Sequence, residues 1–145
     1  MRLAIAILVV ATFLSCDSPQ KKESEKKQEK KSYEMYEPSE MASYMHVIHD
    51  LNEEVKSSIL AGETPTDFPE KILEIHTAKM TKTYGRNETF QKFSHLFVER
   101  MELVFDTTSN VPLKQRYNDA INLCVSCHQT ECTGPIPRIK KLLIH

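Results

Sequence analysis

Apolar residues recur every three or four positions along most of the chain beyond Pro38, a spacing that predicts amphipathic helices. In the first stretch the apolar side chains are Met41, Tyr44, Met45, Ile48, Leu51, Val55 and Ile59. The same spacing predicts helices over residues 39–61, 68–80, 88–106 and 112–129, with a short turn over 138–144. No stretch alternates with period two, and glycine occurs only three times. The sequence therefore predicts an all-α domain, a four-helix up-down-up-down bundle joined by short loops.

The chain before the bundle has a different composition. Residues 1–15 combine Arg2 with an apolar run that is too short to span a bilayer, as in a secretory signal peptide. The run ends at Cys16 and resembles a lipobox, so we expect a lipoprotein signal peptide and a membrane anchor on Cys16. Residues 20–32 contain no apolar side chain, and residues 16–37 are predicted to be a disordered charged tether. The folded domain is then 38–145.

The predicted signal peptide places the domain on the periplasmic side of the cell envelope, where conditions are oxidising. The chain has 19 Lys and Arg residues against 20 Asp and Glu residues, which gives no basic surplus for nucleic-acid binding. The sequence has no Ser-His-Asp arrangement, paired-carboxylate site or Gly-rich phosphate loop. We therefore do not expect an enzyme.

A C-x-x-C-H sequence runs from Cys124 through Cys127 to His128 in the last predicted helix. Positions i, i+3 and i+4 share one face of a helix, so two thiols can add to the two vinyl groups of a haem while the histidine faces its iron. This motif is typical of covalent haem attachment. A thioredoxin-like redox pair would need a βαβ context. Cys132 extends the motif to C-x2-C-H-x3-C, which leaves a zinc site or a disulfide-bonded structural lipoprotein as alternatives.

Four predicted helices with this motif on the last one resemble the cytochrome c-prime group. The resemblance covers the bundle; the longer, Pro-rich tail with Cys132 and the lipobox depart from it. It implies one covalent haem c on Cys124 and Cys127, with His128 as the proximal iron ligand. It also implies transfer of single electrons to redox partner proteins, or alternatively binding of NO or CO at a vacant or displaceable distal site. Members often form homodimers through their first two helices.

The group places its distal residue on the first helix. At 100° per residue, Met45 falls about 60° from the core direction of Ile48, His49 about 100° and His46 about 160°. Met45 is therefore the expected sixth iron ligand, and His46 is expected to point away. Met41 and His49 are alternatives, as is an open or occluded site, because a methionine in a helical stripe is often core filler.

Three further expectations concern single residues. Cys132 is expected to be a buried thiol, with an intermolecular disulfide as the alternative. His76 is expected at the end of the second helix, with the haem edge as the alternative. The candidate cations for the haem propionates are Lys79, Arg116, Arg138 and Lys140.

Overall fold

The computed structural model describes residues 37–81 and 85–145, and within these ranges every regular element is helical. The long helices are α1 (Glu40–Leu60), α2 (Glu88–Phe105) and α3 (Leu113–Glu131). The short elements are a 3-10 helix (Glu70–His76), α4 (Ile136–Ile139) and a 3-10 turn (Lys140–Leu142). The predicted all-α class is confirmed for this part of the chain. The predicted signal peptide, Cys16 and the tether up to residue 36 lie outside the described residues.

Two of the long helices begin at side chains that cap them. The hydroxyl of Ser39 accepts a hydrogen bond from the Ala42 backbone N–H at 3.1 Å. The Asn87 side-chain oxygen accepts one from the Phe90 backbone N–H at 2.7 Å. Such caps satisfy donors that a helix start leaves unpaired. None of the helices in the described ranges is long and apolar enough to cross a membrane.

The second predicted helix, over residues 68–80, is wrong in type and length: the structure has a seven-residue 3-10 helix there, Glu70–His76. Its buried side chains, Ile72 and Ile75, are spaced three apart. A 3-10 helix has three residues per turn, so this spacing keeps both on one face. In addition, the Tyr44 hydroxyl lies 2.8 Å and 2.7 Å from the carbonyl oxygens of Lys71 and Ile72, which it can bind as donor.

Helices α2 and α3 pack antiparallel to each other. At one end, the Asn87 side chain before α2 donates to the Glu131 carboxylate that ends α3, at 3.1 and 3.2 Å. At the other end, Arg116 in the first turn of α3 donates to carbonyl oxygens of Leu103 and Asp106, where α2 ends. Helix α1 also runs opposite to α3, since its first half and the last turns of α3 line one cleft.

The segment between α1 and α2 runs back along the bundle, and its regular element in the described residues is the 3-10 helix. Near its start, the ring of Phe68 packs edge-to-face on that of Phe105 at the end of α2, with centroids 5.7 Å apart. Near its end, the carbonyl of Lys79 accepts a hydrogen bond at 3.0 Å from the backbone N–H of Met41, at the start of α1. Successive segments therefore reverse direction, although only three of them are long helices.

Arg116 is buried, with 7% of its surface exposed, and it holds the end of α2. Its guanidinium donates to the carbonyl oxygens of Leu103, Asp106 (2.7 Å) and Val111 (2.9 Å). Leu103 lies in the last turn of α2 and Asp106 directly follows it, where carbonyls lack the i+4 donor of a continuing helix, and Val111 lies in the loop before α3. Arg116 is thus a structural residue, and its prediction as a propionate partner is wrong.

We predict that Arg116→Lys lowers the free energy of unfolding by about 2 kcal/mol, because a lysine cannot fork across several carbonyls. Urea unfolding measures the change. The matched control is Arg100→Lys on the exposed face of α2, which should stay within about 0.5 kcal/mol of the parent. Equal effects of the two variants would contradict this role.

Candidate functional site

An apolar cleft of about 290 Å³ lies between the first half of α1, the last turns of α3 and the C-terminal segment, residues 133–145. Helix α3 contributes Cys124, Cys127 and His128 to it, and α1 contributes Met41, Met45, His49 and Asn52. The cleft therefore joins all three residues of the C-x-x-C-H motif to all three predicted distal candidates.

Both motif thiols are held in surroundings that disfavour their charged form. Burial, and then the neighbouring Cys127, raise the pKa of the Cys124 thiol to about 12. Burial, and then the Glu131 carboxylate, raise the pKa of the Cys127 thiol to about 11. Both groups are therefore neutral thiols at physiological pH.

His128 is oriented by a backbone carbonyl. Its Nδ1 lies 2.9 Å from the Cys132 carbonyl oxygen. A carbonyl only accepts, so Nδ1 carries the proton and Nε2 keeps its lone pair. Histidines that bind metals usually have their second ring nitrogen fixed in this way. Cys132 acts here through its backbone; its thiol belongs to an exposed residue, so the prediction of a buried thiol is wrong.

The donor atoms of the motif do not form a compact metal cluster. In the described ranges, the only group of three or more His, Cys, Asp or Glu donors within 4.8 Å of one another is His49, Asp50 and Glu53. A tetrahedral zinc site needs its ligands to converge on one point.

The three distal candidates are not equivalent. Met41 is buried in the core, at 6% exposed, whereas Met45 is half-buried and only packs against that core. His49 is 8% exposed and is in contact with Arg138: the guanidinium Nε lies 3.2 Å from its Nε2. Since a guanidinium only donates, this contact occupies the lone pair that His49 would give to a metal. Met45 is the candidate with the fewest competing contacts.

Arg138 is the cation at the rim of the cleft. Its side chain is half exposed, and it contacts His46 at 3.2 Å as well as His49. It also lies 3.6 Å from the Asp50 carboxylate, which disfavours a further cation beside the His49, Asp50 and Glu53 group. His46 was expected to point away, but it lies at the rim and lines the cleft.

Several other sequence candidates lie elsewhere. Lys79 and Lys140 are exposed and do not line the cleft. His76 stacks on His95 with ring centroids 4.3 Å apart, and it too is absent from the cleft wall.

Sequence reasoning did not single out several residues that line the cleft, among them Asn52, Met80 and Phe90. Helical spacing could have identified Asn52, because it lies seven positions after Met45 and therefore on the same face of α1. No sequence signal pointed to Met80, since the helix predicted through it does not form.

The cleft residues fit a covalently attached haem. They supply two thiols at the required spacing, an imidazole with Nε2 available, a thioether opposite, and apolar walls. A buried acceptor, Asn52 Oδ1, has no donor among the described residues, as expected where a bound group supplies one.

No family model, curated protein or solved structure matches the chain.

The His76–His95 pair predicts a pH dependence of stability. Burial, then the charges on His95 and Arg86, lower the pKa of His76 below its usual value of about 6.5. The folded chain then binds this proton less tightly than the unfolded chain, so the free energy of unfolding falls as the pH drops through about 6.5. We predict that His76→Gln reduces this fall between about pH 7.5 and pH 5.5.

Urea unfolding at several pH values measures the effect, and His145→Gln at the exposed C-terminus is the control. The prediction fails if both variants keep the slope of the parent protein.

Proposed function

We propose that this protein is a mono-haem c-type cytochrome of the cytochrome c-prime type that transfers single electrons. Haem c is attached through Cys124 and Cys127, and His128 is the proximal iron ligand. The chain is anchored through a lipid on Cys16 at the periplasmic side of the cell envelope. Its fold is a variant of the four-helix up-down-up-down bundle in which a 3-10 helix with flanking loops replaces the second helix.

One observation carries the proposal: a single apolar cleft is lined by both motif thiols, by His128 and by Met45. The hydrogen bond from His128 Nδ1 to the Cys132 carbonyl supports it, because it leaves Nε2 available for iron. A motif in a sequence fixes spacing alone, whereas this cleft adds apolar walls and an opposing thioether.

The residues of the chain have distinct parts in this function. The apolar walls exclude water, and α3 fixes the thiols and the imidazole relative to one another. Arg138, at the half-exposed rim, is suited to pair with a carboxylate. The bound haem supplies one-electron exchange at its iron, with a reduction potential that the axial ligands set. Electron transfer needs redox partner proteins, and a homodimer stays part of the proposal.

Binding of NO or CO is the second candidate. Met41 is packed in the core and His49 is engaged by Arg138, which supports Met45 as the residue on the distal side. A half-buried methionine that is not bound, or that is easily displaced, leaves a site for a small gas.

Expression of the full chain in a host that matures c-type cytochromes tests the proposal. We expect a coloured protein whose mass exceeds that of the mature polypeptide by one haem, and whose reduced spectrum is low-spin with a sharp α band unaffected by CO. A high-spin spectrum that shifts with CO favours the second candidate. A colourless protein of unmodified mass rules out both.

We predict that Met45→Ala converts the low-spin spectrum to a high-spin, CO-sensitive one and lowers the reduction potential, since a thioether ligand raises it. The matched control is Met41→Ala, one turn earlier on the same helix, which should lower stability but keep the spectrum. The opposite pattern assigns Met41 as the ligand, and an unchanged spectrum in both variants excludes methionine.

A further inference from the structure

The Asn52 side chain combines near-complete burial with an unpaired polar atom. It is 1% exposed and lines the cleft. Its Nδ2 donates to the Ile48 carbonyl at 2.8 Å. No atom of the described residues donates to its Oδ1.

The orientation of this amide follows from its neighbours. The Ile48 carbonyl only accepts, so the NH2 group must face it and Oδ1 must lie on the other side. The nearby Tyr117 hydroxyl is committed to the backbone carbonyl of Asn52, at 3.0 Å, and not to its side chain. The fold therefore fixes Oδ1 of Asn52 as the side-chain atom that has no hydrogen-bond partner.

We propose that Asn52 Oδ1 binds an O–H donor held in the cleft of the haem-loaded protein. The inference rests on the proposed function, and it adds a ligand-binding residue that the C-x-x-C-H motif does not include. A buried acceptor without a partner destabilises the fold, so a donor that arrives with the bound group offsets this loss.

The chemistry selects a donor and excludes an anion. An ionised carboxylate is repelled by Oδ1, because the amide N–H groups that would attract it face Ile48. Arg138 at the rim is the partner for negative charge. The group on Asn52 is thus an O–H donor, supplied either by an ordered water or by a protonated oxygen of the bound group.

Asn52→Leu tests the assignment, because leucine has a similar shape and no polar atoms. It leaves no new unpaired group, since the Ile48 carbonyl also has its ordinary helical partner. In the full chain without haem we expect the urea midpoint to rise, because the unpaired acceptor is removed. In the haem-loaded full chain we expect the midpoint to fall, because the donor loses its acceptor.

Asn118→Leu is the matched control. The Asn118 side chain is fully paired with Ile144, donating at 2.8 Å and accepting at 2.9 Å, and it does not line the cleft. This variant should lower the midpoint by similar amounts in both forms. Equal shifts of Asn52→Leu in the two forms, in the same direction, would overturn the assignment.

A high-resolution crystal structure of the haem-loaded protein gives a second measurement, which decides the matter if the haem-free chain does not fold. An oxygen within hydrogen-bond distance of Asn52 Oδ1 supports the assignment, and no oxygen there overturns it. An isolated oxygen identifies a water, and an oxygen covalently part of the haem identifies the protonated group. A chain that never takes up haem overturns the proposed function together with this inference, whereas a haem-loaded chain with equal shifts overturns the inference alone.

Discussion

The register between α1 and α3 decides which residues face each other across the cleft. A buried hydrogen bond, from the Tyr117 hydroxyl to the Asn52 carbonyl at 3.0 Å, fixes it. Burial raises the pKa of Tyr117, so its hydroxyl remains a donor over the whole physiological range. A slip of one helical position would rotate Met45 by about 100° away from Cys124 and His128. The opposition of thioether and imidazole therefore depends on this contact.

Two irregular segments complete the walls that three long helices leave open. The 3-10 helix and the chain after it bring Met80 to the cleft, and the C-terminal segment brings Arg138 and Ile139. The C-terminal segment is tied down by polar contacts from the Lys56 ammonium, which donates to the Lys141 carbonyl at 2.7 Å and to the Leu143 carbonyl at 3.1 Å. The Pro-rich tail, which departs from the cytochrome c-prime pattern, thus forms part of the site.

The spacing of residues along the sequence correctly predicted the features that depend on interactions between neighbouring residues in a helix. The spacing of apolar residues placed α1, α2 and α3 within a few residues, and the i, i+3, i+4 rule placed Cys124 and His128 on one face. The same periodicity failed at Ile72 and Ile75, because their spacing of three is compatible with both a 3-10 and an α-helix. Contacts distant in sequence then decided the outcome, chiefly the Tyr44 hydroxyl on the Lys71 and Ile72 carbonyls.

Side-chain roles were harder to predict than helices, for the same reason. Arg116 lies in the first turn of the motif helix and Arg138 lies beyond its end, and nothing in the local sequence separates their roles. The Arg116 guanidinium donates to carbonyls at the end of α2, a short distance before it in the chain, whereas Arg138 contacts His49 of α1 across 89 positions of sequence. His49 is likewise defined by Arg138, a neighbour that helical spacing does not reveal. Such pairings are properties of the tertiary fold.

Stability and binding are separated along the length of the bundle. Four of the fully buried side chains, Met101, Val104, Tyr117 and Ile121, lie in the second half of α2 and the first half of α3. The motif and Phe90 lie at the other end, where the apolar cleft replaces a packed core. A cavity in one half of a small bundle reduces the packing that stabilises it. The fully buried side chains of α2 and α3, and the Arg116 hydrogen bonds at the end of α2, do not line the cleft and offset that loss.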